Sequence, residues 1–529
     1  MNTPRLIYYN DAHHFHAKRI DPPLTMNKLR WPVDEVLGTG VDLLAMGLGY
    51  GDVYFHQSKV GRKVGDEKDV WGNYIDWRIM RMVEDAAKMG TDQIEETVRY
   101  ARATGMSFFP SLKLQDTAKP GGERCGWLKW KHGEDVCFGG QDDERNAWAY
   151  DFTNELVQED KLALVREMLD DYGADGIELD FMFYPAYFRP NEIEKSIPVM
   201  NDYVARIRQT VNEIGKRQGR EIPIMARVFH RREDNLGIGL DVETWLKEGS
   251  VDLVVGQVSD FLFDTGLSDA RWMADAANDA GAAAYIRPPR HVYDERTLGP
   301  YIEMYRALSQ TLEVQGFSGM YLGYLPWPFG NEQYQILREA ALPQSMSRRN
   351  KRYVLQPKES QSPATIVEAP RQLPADLKEG ETVTVSIHVA DDIEPSIADR
   401  EIRKPVLTLR FSNFCIEDDI EFRFNGNVLG RDQAEITDER AMHMPKLPGW
   451  HRGEVYAPGG TAVHWFKWKL DPAIVNQGEN LIEIECKEFE KRAGFIRSLN
   501  GVEVWVRYKE FERPEGLDVP RIASRTFGG

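Results

Sequence analysis

Two acidic residues interrupt an otherwise apolar stretch of this chain, residues 174–185. In an extended strand alternate side chains share a face, so Glu178 and Asp180 would lie together, opposite Ile177 and Leu179. Burying two carboxylates is unfavourable unless they bind or react with something. One such group can protonate a leaving oxygen while the other stabilises, attacks or activates water at a cationic sugar carbon. Glu178 and Asp180 are therefore the first candidates for catalysis.

The elements around this pair alternate between short apolar runs and amphipathic helical stretches, as repeated βα units do. The predicted strands are Leu6–Asn10, Val41–Gly47, Met106–Leu112, Gly176–Phe183, Ile222–Phe229, Val251–Val258, Ala283–Arg287 and Gly319–Tyr324. Together with the helices between them they predict a (β/α)8 TIM barrel over residues 1–343. A doubly wound open sheet would instead show a glycine-rich phosphate loop after its first strand, and Tyr9–His13 is not one.

The C-terminal part of the chain has a different pattern. Residues 344–373 are first basic and then polar with prolines, which predicts a linker. From 374 to 512, alternating runs are separated by turns, including an Asn425-Gly426 hairpin signal. This region is predicted to form an all-β jelly-roll sandwich, and residues 513–529 a tail.

Side chains at the C-terminal ends of barrel strands converge on one cavity, the mouth of the barrel. The candidate substrate-binding residues expected there are Asn10, Asp11, His14, Tyr50, Asp52, Lys113, Tyr184, Arg227, His230, Gln257, Arg287, Tyr324 and Trp327. Trp127 is added from a long tryptophan-rich insert after the third strand, and Asp260 is a third candidate catalytic carboxylate.

Other roles remain open for several of these acids. Asp11, Asp52 and Asp260 could instead cap helices or lie in loops. For Glu178 and Asp180, the alternative is a structural ion pair with an inward-facing arginine such as Arg227.

The motif Asp175-Gly176-Ile177-Glu178-Leu179-Asp180-Phe181 resembles the strand-four signature of barrel glycoside hydrolases and of uncharacterised glycosyl-hydrolase-like barrel families. One of those families ends the strand with the Phe-Tyr-Pro found here at 183–185. The resemblance implies cleavage of a glycosidic bond in an oligo- or polysaccharide by carboxylate chemistry, without a cofactor or metal. Met182 stands where family 18 chitinases carry their catalytic glutamate, so substrate-assisted chitinase chemistry is not expected.

A second resemblance lies in the C-terminal part. Residues 419–429 together with 476–484 resemble the galactose-binding-like jelly roll that accompanies many glycosidases. Such a sandwich would either bind sugar or brace the barrel.

Two other functions are compatible with the sequence. His14 and His16 after the first strand resemble the paired metal-binding histidines of amidohydrolase barrels, which makes a metal-dependent hydrolase one alternative. A barrel that binds a glycan and catalyses nothing is the other.

The composition of the chain limits the classes of binding partner. The chain has 529 residues and a net charge of −18, which argues against nucleic acid or an anionic membrane as partner. Four arginines could recognise an anionic sugar or neutralise the acids of the site: Arg227, Arg231, Arg287 and Arg290.

The four cysteines of the chain are too few and too scattered for a disulfide framework. With no signal-peptide pattern at the N-terminus a cytoplasmic location is expected, or a secreted or periplasmic one if a leader has been removed.

Overall fold

The computed structural model describes residues 3–139, 146–259, 262–292, 299–357, 371–438 and 463–509. Its first part is a closed barrel of parallel strands in which each strand pairs with its neighbours in the chain and the last pairs with the first. The strands are β1 (Leu6–Asn10), β2 (Leu43–Gly47), β3 (Ser107–Lys113), β4 (Ile177–Asp180), β5 (Ile224–Phe229), β6 (Leu253–Gln257), β7 (Ala283–Arg287) and β8 (Gly319–Gly323). The predicted (β/α)8 barrel is confirmed.

Helices surround the barrel and begin where short polar side chains accept hydrogen bonds from the first turn, as at Asp11, Asn73, Asp92 and Asn154. A π-helical turn, Glu167–Asp171, follows α6. The α-helices are α1 (Ala12–Lys18), α2 (Met26–Asp34), α3 (Tyr74–Lys88), α4 (Gln93–Ala103), α5 (Trp127–His132), α6 (Glu155–Arg166), α7 (Ile193–Gln218), α8 (Arg232–Leu236), α9 (Val242–Lys247), α10 (Arg271–Ala280), α11 (Ile302–Val314), α12 (Asn331–Glu339) and α13 (Glu394–Ala398).

Alternation along the strands divides the apolar residues between two layers. One layer fills the barrel interior and consists of Ile7, Tyr9, Leu43, Ala45, Phe109, Met225, Leu253, Val255, Ala283, Tyr285 and Tyr321. The other layer faces the helices and includes Leu6, Tyr8, Ile177 and Leu179. Glu178 and Asp180 alternate with Ile177 and Leu179, so both acids point into the barrel as the strand pattern predicts.

Strand β4 is shorter than its sequence pattern. It ends at Asp180, whereas apolar alternation predicts a strand as far as Phe183. Asp180 Oδ1 accepts hydrogen bonds from the backbone N–H groups of Met182 (2.8 Å) and Phe183 (3.1 Å). An aspartate that bonds its own backbone two residues ahead forms a turn, and this turn ends the strand.

The second part contains two antiparallel sheets that enclose a separate apolar core, which confirms a β-sandwich after the barrel. Its strands are β9 (Lys351–Leu355), β10 (Ala375–Leu377), β11 (Thr382–Val389), β12 (Val406–Ser412), β13 (Asp419–Phe424), β14 (Asn427–Leu429), β15 (Glu435–Asp438), β16 (Val463–Lys469), β17 (Gly478–Glu488) and β18 (Arg497–Val506). One sheet has the order β9-β18-β12-β16-β15, with β10 also on β18, and the other β11-β17-β13-β14. The jelly-roll topology and the domain boundaries stay predictions.

Strand β9 lies within residues 344–373, for which the sequence predicts a linker. Its charged residues concealed the strand: Lys351 is buried with its Nζ 2.8 Å from Asp391 Oδ1. The strand joins the two parts, because the backbone N–H of Val354 donates to Thr265 Oγ1 at 2.8 Å. Among the described helices, none is long and apolar enough to cross a membrane.

Gly176, the residue before β4, offers a test of the barrel geometry. A Cβ at Gly176 would overlap the ring of Phe109 and lie 2.7 Å from the carbonyl oxygen of Pro223. Gly176→Ala should therefore lower the free energy of unfolding by about 1–3 kcal/mol, measured by urea denaturation. The matched control is Gly72→Ala, where nothing lies within 4 Å of the new Cβ and no loss is expected. Equal stability of the two variants would contradict the described strand packing.

Candidate active site

A single guanidinium joins the two candidate carboxylates inside the barrel. Arg227 Nε lies 3.0 Å from Glu178 Oε1, and Arg227 Nη2 lies 2.5 Å from Asp180 Oδ2. All three residues are buried: Glu178 is 0% and Asp180 1% exposed. Asp180 and Arg227 are paired residues of β4 and β5, so parallel strand pairing brings them together. The ion pair considered as an alternative role for these acids is thus present.

Neighbouring strands complete the bonding around Arg227. Tyr321 Oη donates to Glu178, 2.9 Å from Oε1 and 3.0 Å from Oε2, and Arg227 Nη1 donates to Gln257 Oε1 at 2.8 Å. Burial raises the pKa of Glu178, and the charge of Arg227 offsets only part of that effect. Glu178 therefore binds a proton more readily than an exposed glutamate does, but it has no contact with solvent.

A second carboxylate, Asp11, stands at the mouth just after β1. Tyr324 Oη donates to Asp11 Oδ2 at 2.7 Å, and His14 Nδ1 lies 3.2 Å from the same oxygen. Lys113 Nζ lies 4.0 Å from Oδ1. Burial opposes the charge of Asp11, but Lys113, His14 and Tyr324 outweigh it and lower the pKa of Asp11 below its usual range. Because the His14 side chain is 42% exposed, it connects this buried carboxylate to solvent.

Two tyrosines at the mouth have strained backbones. Tyr184 after β4 has a φ of 54°, and Tyr324 after β8 has a φ of 56°. This left-handed conformation costs roughly 1–2 kcal/mol for a residue other than glycine. Strain of this kind concentrates at binding sites, where the surrounding structure holds a side chain in place. Tyr324 is held by its bond to Asp11, whereas Tyr184 is 44% exposed and contacts Phe183.

Asp52 lies in a buried charge cluster, where its partner is a lysine rather than another of the predicted binding residues. Its Oδ1 is 2.6 Å from Lys161 Nζ, and Asp116 Oδ1 is 3.7 Å from Lys129 Nζ. Both ammonium groups lie over the ring of Tyr150, at 4.8 Å and 4.0 Å from its centroid. Burial and the charge of Asp52 raise the pKa of Asp116 to about 6. Lys129 lies on α5 and Lys161 on α6. The sequence of the loop that carries Asp52 does not indicate that a lysine so far along the chain will be its partner.

Two further predicted residues do not point into the mouth. Asn10 shares a face of β1 with Leu6 and Tyr8, which pack against the helices, because side chains alternate along the strand. His230 follows β5, and its Nε2 lies 3.6 Å from Asp269 Oδ2, just before α10. Asn10 is the last residue of β1, so alternation sets its direction, whereas His230 follows β5 and turns towards α10.

The two predicted tryptophans pack against tryptophans of helices α5 and α2. Trp127 packs edge to face against Trp130 at 6.1 Å, with Arg62 over its ring at 5.9 Å. Trp327 packs against Trp31 of α2 at 5.8 Å. No contact of either ring with the mouth tyrosines is seen among the described residues, so a stacking role there is not supported.

Two predicted site residues remain, Tyr50 and Asp260. Tyr50 borders the mouth, with its ring 5.2 Å from that of His13. Burial lowers the pKa of His13 to about 4, although the charge of Asp11 opposes this effect. Asp260 lies outside the described residues.

Sequence reasoning missed two aromatic residues of the interior. The ring of Tyr9 lies 5.1 Å from the guanidinium carbon of Arg227 and stacks on Tyr321 at 5.9 Å. Strand alternation alone does not say which of the two layers Tyr9 faces. The position of β1 relative to Arg227 in the folded barrel places its ring in the interior. Arg290, noted in the sequence but not assigned, lies 4.7 Å from the ring centroid of Tyr324.

The residues required by a metal-dependent hydrolase are dispersed. Glu178 is inside the barrel, His230 is beside Asp269, and buried His16 lies with its Nδ1 2.9 Å from the carbonyl oxygen of Ala12. Within the described ranges, no group of three or more His, Cys, Asp or Glu side chains could hold a metal ion. The geometry of these residues gives the amidohydrolase alternative no support.

No protein-family model and no curated protein sequence matches this chain. Solved structures with similarity include a cycloisomaltooligosaccharide glucanotransferase of Paenibacillus sp., at 10% identity and a TM-score of 0.35; the match covers 94% of this chain and 57% of that one. The maltogenic α-amylase AmyB of Thermotoga neapolitana has 11% identity and a TM-score of 0.39, with 81% and 94% covered. A glycoside hydrolase family 18 N-acetylglucosaminidase of Paenibacillus barengoltzii has 12% identity and a TM-score of 0.34, with 63% and 99% covered. Similarity this low assigns no activity.

The ion pairs of Arg227 can be tested by its removal. Arg227→Met leaves two buried carboxylates without a cation and should lower the free energy of unfolding at pH 7 by about 3–5 kcal/mol. The pKa of Glu178 is already raised in the folded protein, and loss of Arg227 should raise it further. Protonation then stabilises the folded state, so the deficit should shrink as the pH falls towards 5.

Urea denaturation at pH 5 and pH 7 measures both effects. Arg287→Met is the matched control, because Arg287 also points inward but forms no described ion pair. Its loss of stability should be smaller and similar at the two pH values. A pH-independent deficit for Arg227→Met would contradict the ion-pair interpretation.

Proposed function

We propose that this barrel hydrolyses glycosidic bonds, with Asp180 as the carboxylate that faces the reacting carbon. The observation that carries the proposal is the position of Asp180 at the C-terminal end of β4, where barrel enzymes place their catalytic groups. Its Oδ2 is held by Arg227 and its Oδ1 by two backbone N–H groups. A carboxylate fixed in this way is preorganised for the positive charge that develops during glycoside cleavage.

Glycoside hydrolysis also needs a group that gives a proton to the leaving oxygen. We assign this role to His14, because Asp11 orients its ring at 3.2 Å and the ring reaches solvent. Histidine is the side chain best suited to proton transfer near neutral pH. Asp11 in turn is fixed by Tyr324, so the proton-transfer group has a rigid support.

Glu178 is proposed as a positioning residue. It lies two residues deeper in β4 than Asp180, which ends the strand, and its two oxygens are bonded to Arg227 and Tyr321. Its effect reaches the substrate through Arg227, which it helps to hold against Asp180. The aromatic rings of Phe183, Tyr184 and Tyr324 are suited to stack on the apolar face of a sugar.

Asp180→Asn tests the carboxylate. Against a panel of 2,4-dinitrophenyl glycosides, this variant should lose about 1,000-fold or more in kcat/KM on whichever glycoside the wild type hydrolyses, because the anionic charge is gone. Asp175→Asn is the matched control, the same substitution just before the start of β4, and should retain activity. Wild-type turnover by Asp180→Asn, or no hydrolysis of any panel member by the wild type, would contradict the proposal.

His14→Gln tests proton donation separately. The variant should lose about 100-fold on a disaccharide, whose sugar leaving group needs protonation. It should lose little on the 2,4-dinitrophenyl glycoside of the same sugar, whose leaving group departs without a proton. Equal losses on the two substrates would assign His14 to binding or structure instead.

A further inference from the structure

Two arginines flank Tyr324 on the side of the mouth formed by the end of β7. The guanidinium carbons of Arg287 and Arg290 lie 5.5 Å and 4.7 Å from the ring centroid of Tyr324. Arg287 Nη1 also donates to Gln257 Oε1, the oxygen that accepts from Arg227. Arg287 is half-buried and Arg290 is exposed, so both can meet a ligand that enters the mouth.

These two charges differ from the other cations of the mouth. Arg227 is paired with Glu178 and Asp180, and Lys113 is 4.0 Å from Asp11. Arg287 and Arg290 form no ion pair with any carboxylate in the described ranges, and their recorded partners are Gln257 and Tyr324. Burial and the adjacent charge of Arg287 together lower the pKa of Arg290. Among the described residues the pair is therefore a local excess of positive charge.

This excess occurs in a chain of net charge −18. An acidic protein repels anions at long range, so binding an anion requires a concentrated positive group at the site. Adjacent guanidinium groups present planar forks of N–H donors that match the oxygens of a carboxylate or sulfate.

We propose that Arg287 and Arg290 bind an oxyanion of the sugar substrate, either the carboxylate of a uronic acid or a sulfate ester. The inference rests on the proposed function, because it places this anion beside the sugar held at Asp180 and Tyr324. It defines the substrate class as an anionic glycan.

A purely structural role makes a different prediction. A guanidinium over an aromatic ring contributes about 0.5–1 kcal/mol at an exposed site, which could serve only to hold Tyr324. Removal of the arginine would then weaken neutral and anionic sugars alike.

Isothermal titration calorimetry on the full chain distinguishes the two roles. The probes are glucuronate, galacturonate and glucose 6-sulfate, each compared with glucose or galactose, none of which can be hydrolysed. At least one anionic sugar should bind about tenfold more tightly than its neutral counterpart, and added salt should weaken it. The uronates and the sulfate ester identify which oxyanion is bound.

Arg290→Gln should remove this preference while affinity for the neutral sugar stays unchanged, and Arg287→Gln should act in the same direction. Arg338→Gln is the matched control, because Arg338 lies 5.8 Å from the ring centroid of Tyr334 on α12, on the outside of the barrel. Equal affinity for charged and neutral sugars, no binding of any anionic probe, or equal losses for both classes in Arg290→Gln would overturn the inference. Anion preference without hydrolysis of any glycoside would instead retain the inference and refute the proposed function.

Discussion

The interior of this barrel is organised around the guanidinium of Arg227. A buried arginine is tolerated only when carboxylates and hydrogen-bond acceptors replace the water that it has lost. Here the partners come from different strands: Glu178 and Asp180 from β4, Gln257 from β6, and the rings of Tyr9 from β1 and Tyr321 from β8. The positions of these strands relative to one another are therefore linked to the bonding of a single side chain.

That bonding also determines what each acid can do. Glu178, deeper in the barrel, is enclosed and serves Arg227, whereas Asp180 lies at the strand end and closes the turn that leads to Tyr184. A second charged group at the mouth, Asp11 with Tyr324 and His14, is built from β1, α1 and the end of β8. One carboxylate thus lies inside the barrel with an arginine and another at its rim with a histidine, and the proposed function gives these two groups separate roles.

A separate buried charge cluster links the long insert after β3 to the loop after β2 and to α6. Asp52 and Asp116 meet Lys161 and Lys129 around Tyr150, and all of these residues are buried. Each charge is compensated within the cluster, whereas Arg287 and Arg290 at the mouth lack a described anionic partner. The contrast between a neutralised structural cluster and a pair of arginines without an anionic partner among the described residues is the physical basis for assigning the pair to a ligand.

Strand order and the inward direction of Glu178 and Asp180 could be read from the sequence, because period-two alternation and repeated βα units are local properties of the chain. The same patterns indicated an all-β region after the barrel, but they missed β9, where Lys351 and Arg352 occupy buried strand positions. Local patterns also placed Asn10, Asp52 and His230 at the mouth, since each follows or ends a strand. Only the tertiary structure decided which of these side chains turn inward and that Arg227 joins the two acids. Those outcomes depend on contacts between residues far apart in the chain, and a single strand or loop carries no record of the partner that will neutralise its charge.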